Sequence, residues 1–252
     1  MDLARLLPDI VALAERAGAL ILEHYRDGVA VRAKADASPV TIADEAAEAL
    51  ILEGLAGLTP EIPVVAEETV AAGHVPGLGD GRFWLVDPLD GTKEFLSRNG
   101  EFTVNIALIE GREPVLGAVF APALGKVWWG ARGAGAMLRD AAGERPIAAR
   151  PRPASGIVAV ASRSHSDPQT EAFLDQMGVA ERISAGSSLK FCLVAEGRAD
   201  VYPRFGPTME WDTAAGHAVL RAAGGQVTTR DGAPFTYRKP GFRNPEFIAR
   251  GA

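Results

Sequence analysis

A single cysteine, Cys192, in 252 residues excludes an internal disulfide and a cysteine-rich zinc site, and is what a reducing compartment permits. Histidine is scarce too, with four in the chain. His24 and His217 fall on helical stretches without a paired ligand at zinc spacing, and His74 sits in a glycine-rich loop, so none of the three reads as a metal ligand. No apolar run reaches 18 residues, and the start, Met1-Asp2-Leu3-Ala4-Arg5, lacks the charged and apolar segments of a secretory leader. The expectation is a soluble, cytoplasmic protein that reaches a membrane only through a partner. Like charges never run in a block, and the net charge is -6, so there is no basic footprint for nucleic acid or an anionic bilayer. Any anion must be met by local groups. What the chain does have is apolar mass: 47% hydrophobic residues in 26.5 kDa suffice for a large core in one unit or two subdomains.

Periodicity gives the order of elements. Apolar residues at helical spacing from Ile10 to Tyr25 predict an amphipathic helix over Asp9 to Tyr25. Pro8 suits its first turn, or kinks it if the helix starts near Asp2. Val29 to Lys34 reads as a strand, and Thr41 to Leu55 as a second helix with Asp44 in its first turn and Glu45, Glu48 and Glu53 outward. A strand over Ile62 to Ala66 delivers Glu67 and Glu68, a loop covers Ala71 to Asp80, and Phe83 to Val86 is again a strand. Glu101 to Ile109, Val115 to Phe120 and Lys126 to Trp129 have the pattern of an antiparallel meander, with a further strand at Ala136 to Arg139. The Arg-, Pro- and Ala-rich stretch from Arg145 to Pro153 marks a boundary between subdomains 1–150 and 151–252. Beyond Ile157, strands and helices alternate to Thr228. Trp84, Trp128, Trp129 and Trp211 are assigned to core packing.

Chemistry concentrates at Asp87-Pro88-Leu89-Asp90-Gly91-Thr92. Two carboxylates three residues apart at a strand end suit Mg2+, which takes one or two protein carboxylates and leaves the rest to water and phosphate. Pro88 stiffens the link, the Leu89 carbonyl is left to face a cation, and Gly91 permits the turn that brings both acids to one side. If a helix opens there, the Gly91 and Thr92 amides point at an anion. Asp44, Glu67 and Asp212 also stand where elements begin or end. Taken alone, Asp212 reads as an N-cap, Glu67-Glu68 as a solvated strand end and Asp44 as a first-turn acid complementing the helix dipole.

The Glu-Glu strand end, the D-P-L-D-G-T segment and the later Trp211-Asp212 occur in the order seen in the inositol monophosphatase superfamily, which the chain resembles over nearly its whole length. Three stretches, Phe83 to Ile109, Ala161 to Asp167 and Gly186 to Leu220, are most similar to the 3'(2'),5'-bisphosphate nucleotidases of the bacterial CysQ type. Lys93-Glu94-Phe95 favours that subfamily, because inositol monophosphatases more typically have Thr-Asn-Phe there. The resemblance implies an α/β (α+β) fold, a layered α/β/α/β/α sandwich of the inositol monophosphatase and fructose-1,6-bisphosphatase type. It also implies that Glu67, Asp87 and the Leu89 carbonyl hold one Mg2+, and that Asp87, Asp90 and Asp212 hold a second, with room for a weaker third near Glu67. Thr92 would orient the attacking water with an acid, either Asp44 or Glu67. The substrate would then meet Glu67, Leu89, Asp90, Gly91, Thr92 and Asp212 at the scissile phosphate. Ser187, Ser188, Lys190 and Arg204 would lie near the phosphate that is not cleaved, and His165 near the adenine.

The resemblance therefore implies a lithium-sensitive phosphatase that removes the 3'-phosphate of adenosine 3',5'-bisphosphate to leave AMP. It extends to the sulfated nucleotide and so to sulfur assimilation. Within the superfamily, an inositol or sugar monophosphatase would use the same metals without a second phosphate pocket. A different class, a nucleotide-sensing module with weak hydrolysis, would need depleted acids, and nothing in the acids looks depleted.

Overall fold

The computed structural model describes residues 1–27, 31–33, 39–162 and 167–252. In chain order the elements are α1 (Leu3–Asp27), β1 (Val31–Ala33), β2 (Pro39–Thr41), α2 (Ile42–Leu58), β3 (Val64–Ala66), α3 (Glu67–Ala71), β4 (Arg82–Asp90), α4 (Thr92–Leu96), β5 (Thr103–Glu110), β6 (Glu113–Ala121), β7 (Lys126–Ala131), β8 (Gly135–Asp140) and β9 (Gly143–Ile147). There follow β10 (Val158–Ser162), α5 (Pro168–Gln176), β11 (Glu181–Ala185), α6 (Leu189–Ala195), β12 (Val201–Arg204), α7 (Trp211–Ala222), β13 (Gln226–Thr229) and β14 (Phe247–Arg250). Strands β3 to β9 form a seven-stranded sheet in sequence order, antiparallel except for the parallel pair β3 and β4. A five-stranded sheet has the order β11-β10-β12-β14-β13, with its first three strands parallel and its last two pairings antiparallel.

Alternation along the strands sorts the apolar residues into three separate cores, and these define the layers. Trp84 and Val86 of β4 and Val104, Ile106 and Leu108 of β5 pack under α1 and α2, against Ile10, Ile21, Ile51 and Leu55. Phe83 and Leu85 point the other way, into a core shared with Phe191 of α6, Val219 and Leu220 of α7, and Tyr202 and Phe247 of the second sheet. The outer face of that sheet, through Ile157, Ala159, Val201 and Ile248, is covered by Leu174 and Phe173 of α5. Helices, sheet, helices, sheet and helix thus stack as α/β/α/β/α, the layering the resemblance implied.

Several boundaries differ from the sequence reading, for local reasons. α1 starts six residues before Asp9 and carries Pro8 inside it. The strand over Val29 to Lys34 is described at Val31–Ala33, paired with β2. β9 and β14 were not anticipated. β9 is too polar to show alternation, and β14 is too short and too apolar to be told from a loop near the chain end. Glu48 is not outward but buried: its carboxylate accepts the amides of Glu68 and Thr69, both at 2.7 Å, and the Thr69 hydroxyl at 2.5 Å. It caps α3 across 20 residues of sequence, a pairing no helical periodicity reveals.

α7 lies directly on the seven-stranded sheet because glycines clear its path. A Cβ on Gly117 would meet the Ala215 carbonyl oxygen at 2.5 Å and the Ala218 Cβ at 2.8 Å. One on Gly130 would meet the Ala222 Cβ at 2.6 Å. Gly117→Ala should therefore destabilise the protein by about 1–3 kcal/mol, since overpacking against backbone has no side chain to yield. A lowered urea midpoint with an unchanged slope is the expected result.

Candidate active site

Strand β4 carries the first two acids, and a bulge sets their direction. Asp87 pairs with Asn105 and Asp90 with Thr103, so three steps on β4 oppose two on β5. In a regular strand residues three apart face opposite sides; the extra residue turns Asp90 toward the side of Asp87. The Leu89 amide donates to Asp87 Oδ1 at 3.1 Å, closing a turn over Pro88. Gly91 then takes φ 91° and hands the chain to α4. A Cβ there would lie 2.1 Å from the Ser187 hydroxyl, so only glycine fits both the angle and the space.

Glu67 enters as the first residue of α3. Asp212 enters in the first turn of α7, two residues inside the N-cap Glu210, and its Oδ2 accepts the Met209 amide at 2.8 Å. Carboxylate oxygens of Glu67, Asp87 and Asp212 all lie within 4.8 Å of one another. Asp90 borders the same cavity outside that triad. Burial, then the Asp90 and Glu67 charges, push the Asp212 carboxyl well up; burial likewise raises Asp90, against the pull of the Lys190 charge and of the nearby Ser188 and Asn105 dipoles. Oxygen-only donors at this spacing fit a hard divalent cation.

Beside the triad, Thr92 Oγ1 lies 3.4 Å from Asp44 Oδ1. Asp44 Oδ2 is occupied by the Thr41 amide at 2.8 Å and the Thr41 hydroxyl at 2.6 Å, a capping box that fixes the carboxylate at the start of α2. Asp44 is thus an acid within hydrogen-bond reach of Thr92.

The cavity holds about 280 Å³ and continues from the acids to the second sheet. Lys190, in α6, and Arg204, at the end of β12, both line it and both are buried. Lys190 Nζ donates to the Ser187 carbonyl at 2.6 Å and the Ala185 carbonyl at 3.3 Å, and burial lowers its pKa to about 8, with Asp90 pulling the other way. Arg204 Nη2 donates to the Pro207 carbonyl at 3.1 Å, while its buried Nε has no partner among the described residues. A guanidinium N–H left unsatisfied beside a cavity is a place for an anion.

Ser187 lines the cavity in a left-handed conformation, φ 47°, its hydroxyl 2.8 Å from the Asp90 carbonyl and 2.7 Å from that of Glu101. Ser188, expected as a substrate contact, is instead buried behind the wall: its hydroxyl donates to the Asp212 carbonyl at 2.7 Å and accepts from Asn105 Nδ2 at 3.0 Å. His165 lies outside the described residues. Tyr202, Thr208 and Ser162 also line the cavity and were not anticipated, nor was Asn105 behind it. Only for Asn105 was there a signal, a polar residue in the apolar run Thr103 to Ile109. His217 is buried, bonded through Nδ1 to the Tyr237 hydroxyl at 3.0 Å and held neutral, its pKa lowered to about 3 by burial. All four tryptophans are buried, and no described helix is long and apolar enough to cross a membrane.

Known proteins match this arrangement. The profile of the Inositol monophosphatase family matches residues 2–247. The 3'(2'),5'-bisphosphate nucleotidase CysQ of Escherichia coli K12 is 48% identical over 246 residues, 96% of this chain and 98% of that one. The protein of the same name from Salmonella typhimurium is 50% identical over the same shares. Among solved structures, CysQ from Bacteroides thetaiotaomicron aligns with a TM-score of 0.82 at 39% identity, covering 99% of this chain and 97% of that one. An inositol monophosphatase from Anabaena (Nostoc) sp. PCC 7120 aligns with a TM-score of 0.79 at 27% identity, covering 99% and 92%.

Asp212→Asn tests the carboxylate cluster. Removing one charge relieves repulsion in the metal-free protein, so its melting point should rise, each kcal/mol being worth ~2–4 °C in a chain of this size. Divalent cations should raise the melting point of the wild type but no longer that of the variant.

Proposed function

The chain belongs to the inositol monophosphatase family, and we propose that within it the reaction is hydrolysis of the 3'-phosphate of adenosine 3',5'-bisphosphate to AMP and inorganic phosphate. The observation that carries this reading is the buried pair Lys190 and Arg204 in the same cavity as the acids, the second with an unpartnered Nε. A monophosphate ester needs the acid cluster alone; a substrate with two phosphates needs cations at the far end as well. The nucleotidases named above, nearly half identical over their whole length, support the same choice.

Glu67, Asp87, Asp90, Asp212 and the Leu89 carbonyl would hold two Mg2+ ions, which supply Lewis-acid neutralisation of the phosphate oxygens in an in-line displacement. The protein's own part is positioning. Thr92, held by Asp44, sits where its hydroxyl can orient a water toward phosphorus, and Asp44 Oδ1 is the acceptor through which that hydroxyl passes on a proton. Gly91 and Thr92 line the same cavity as the acids, and their amides would suit the phosphate oxygens. Lys190 and Arg204 would fix the 5'-phosphate, so that binding energy far from phosphorus orients the ester. Ser187 would complete that end, and we extend the substrate range to the sulfated nucleotide, which shares its phosphates. The setting this suggests is a cytoplasmic enzyme of sulfur metabolism, inhibited by Li+ in place of Mg2+.

Phosphate release from adenosine 3',5'-bisphosphate and inositol 1-phosphate, measured side by side in Mg2+ with and without Li+, tests the reading. A strong preference for the bisphosphate, abolished by Li+, is expected; preference for inositol 1-phosphate would overturn it. Arg204→Met should cost roughly 100-fold in kcat/KM on the bisphosphate, the worth of a charge-assisted pair of about 3 kcal/mol, and little on inositol 1-phosphate.

The pH profile gives an independent check on Lys190. Its folded pKa, about 8, is below the ordinary 10.5, so the amine is charged below pH 8 and neutral above. Thus kcat/KM for the bisphosphate should fall as pH rises through about 8, and Lys190→Met should remove that limb. Stability should move the opposite way, rising between about pH 8 and 10.5, where the unfolded chain binds the extra proton.

A further inference from the structure

The acids of the cleft come from both halves of the chain, Asp90 from β4 and Asp212 from α7, and the two segments must be kept in register at the site. Asn105 lies between them on β5 and is 1% exposed. Its carboxamide nitrogen has two hydrogens and two acceptors, Asp90 Oδ2 at 3.3 Å and Ser188 Oγ at 3.0 Å. Its Oδ1 lies 3.1 Å from the Thr103 hydroxyl, which also stands 3.5 Å from Asp90 Oδ2; the orientation is set by Asp90, because with the amide turned over the carbonyl oxygen would oppose that carboxylate. Ser188 continues the path by donating to the Asp212 carbonyl at 2.7 Å. Donors on both sides and an acceptor behind are what a planar carboxamide offers. Aspartate has no donor to give a carboxylate, and serine has a single one.

We propose that Asn105 is a positioning residue, a two-way donor that ties Asp90 to the Asp212 turn through Ser188 and so fixes the spacing of the carboxylates that take up the divalent ion. The proposal rests on the reading that this cleft is metal-loaded. Asn105 touches neither ion nor substrate; it acts on where the acids stand. Partners of this kind behind a metal site are typically worth 10–100-fold in affinity.

Mn2+ uptake, followed by electron paramagnetic resonance in the absence of substrate, is the primary test, on wild type, Asn105→Ala, Asn105→Asp, Ser188→Ala and the double alanine variant. Asn105→Ala should weaken Mn2+ binding ~10–100-fold, and Asn105→Asp at least as much, because it turns a donor into a second anion facing Asp90. The double variant should lose little beyond the worse single one, since both residues act through one path. Phosphatase activity lost in Asn105→Ala should return at high Mg2+, which a general loss of structure would not allow. Should Asn105→Ala not fold, Asn105→Ser and Ser188→Ala carry the same comparison. Mn2+ affinity within twofold of wild type, or fully additive losses in the double variant, would overturn the proposal. A wild type that binds Mn2+ yet hydrolyses no bisphosphate would sink the functional reading while leaving the tether standing; a wild type that takes up no Mn2+ would sink both.

Discussion

Negative charge crowded into a partly buried cleft is the condition to which the surrounding structure answers. Burial and mutual repulsion oppose ionisation of Asp90 and Asp212, and a folded chain holds such groups only where the scaffold fixes each of them. Four of the acids are anchored close at hand. Asp87 is held by the Leu89 amide, Asp212 by the Met209 amide and Asp44 by its capping box. Glu67 is set by α3, whose first amides are capped by the buried Glu48. The anchors are short-range hydrogen bonds to backbone or to immobile side chains, which leaves the carboxylates little freedom to swing apart.

Close packing supplies the rest of the geometry. Because α7 rests on Gly117 and Gly130 and on Phe191 through Gly216, the turn that carries Asp212 is brought down onto the strand that carries Asp87. Gly91 plays the same part inside the site by admitting the Ser187 hydroxyl. Glu210, fully buried, accepts the amides of Arg238 and Lys239 and an ion pair with Lys239 at 2.7 Å, which pins the chain beyond α7 against its start. A buried pair of this kind contributes more to a fixed arrangement than to net stability.

The parts of the site that could be read from sequence are those whose signal is local. Asp87 to Thr92 announces itself because carboxylates, proline and glycine each limit the backbone in a way that spacing exposes. Lys190 is legible as a cation near a helix start, and the succession of strands and helices beyond Ile157 agrees with the layering that the resemblance implied. What escaped was non-local. Glu48 looks like a solvated helix acid until α3 is placed against it, and Ser188 looks like a neighbour of Ser187 until their opposite facing is known. The β4 bulge is likewise invisible, because a register slip belongs to a pair of strands and not to either one. Asp212 looks like a cap, and becomes part of a cluster only when the sheet is present.

The separation of the acids along the chain has a consequence for how the protein is made. Asp44, Glu67, Asp87 and Asp90 leave the ribosome more than a hundred residues before Asp212, which α7 brings to the seven-stranded sheet from the far half of the chain. The complete cluster thus exists only once the second half of the chain has been laid on the first, and an ion that needed all of its carboxylates would report that α7 is in place.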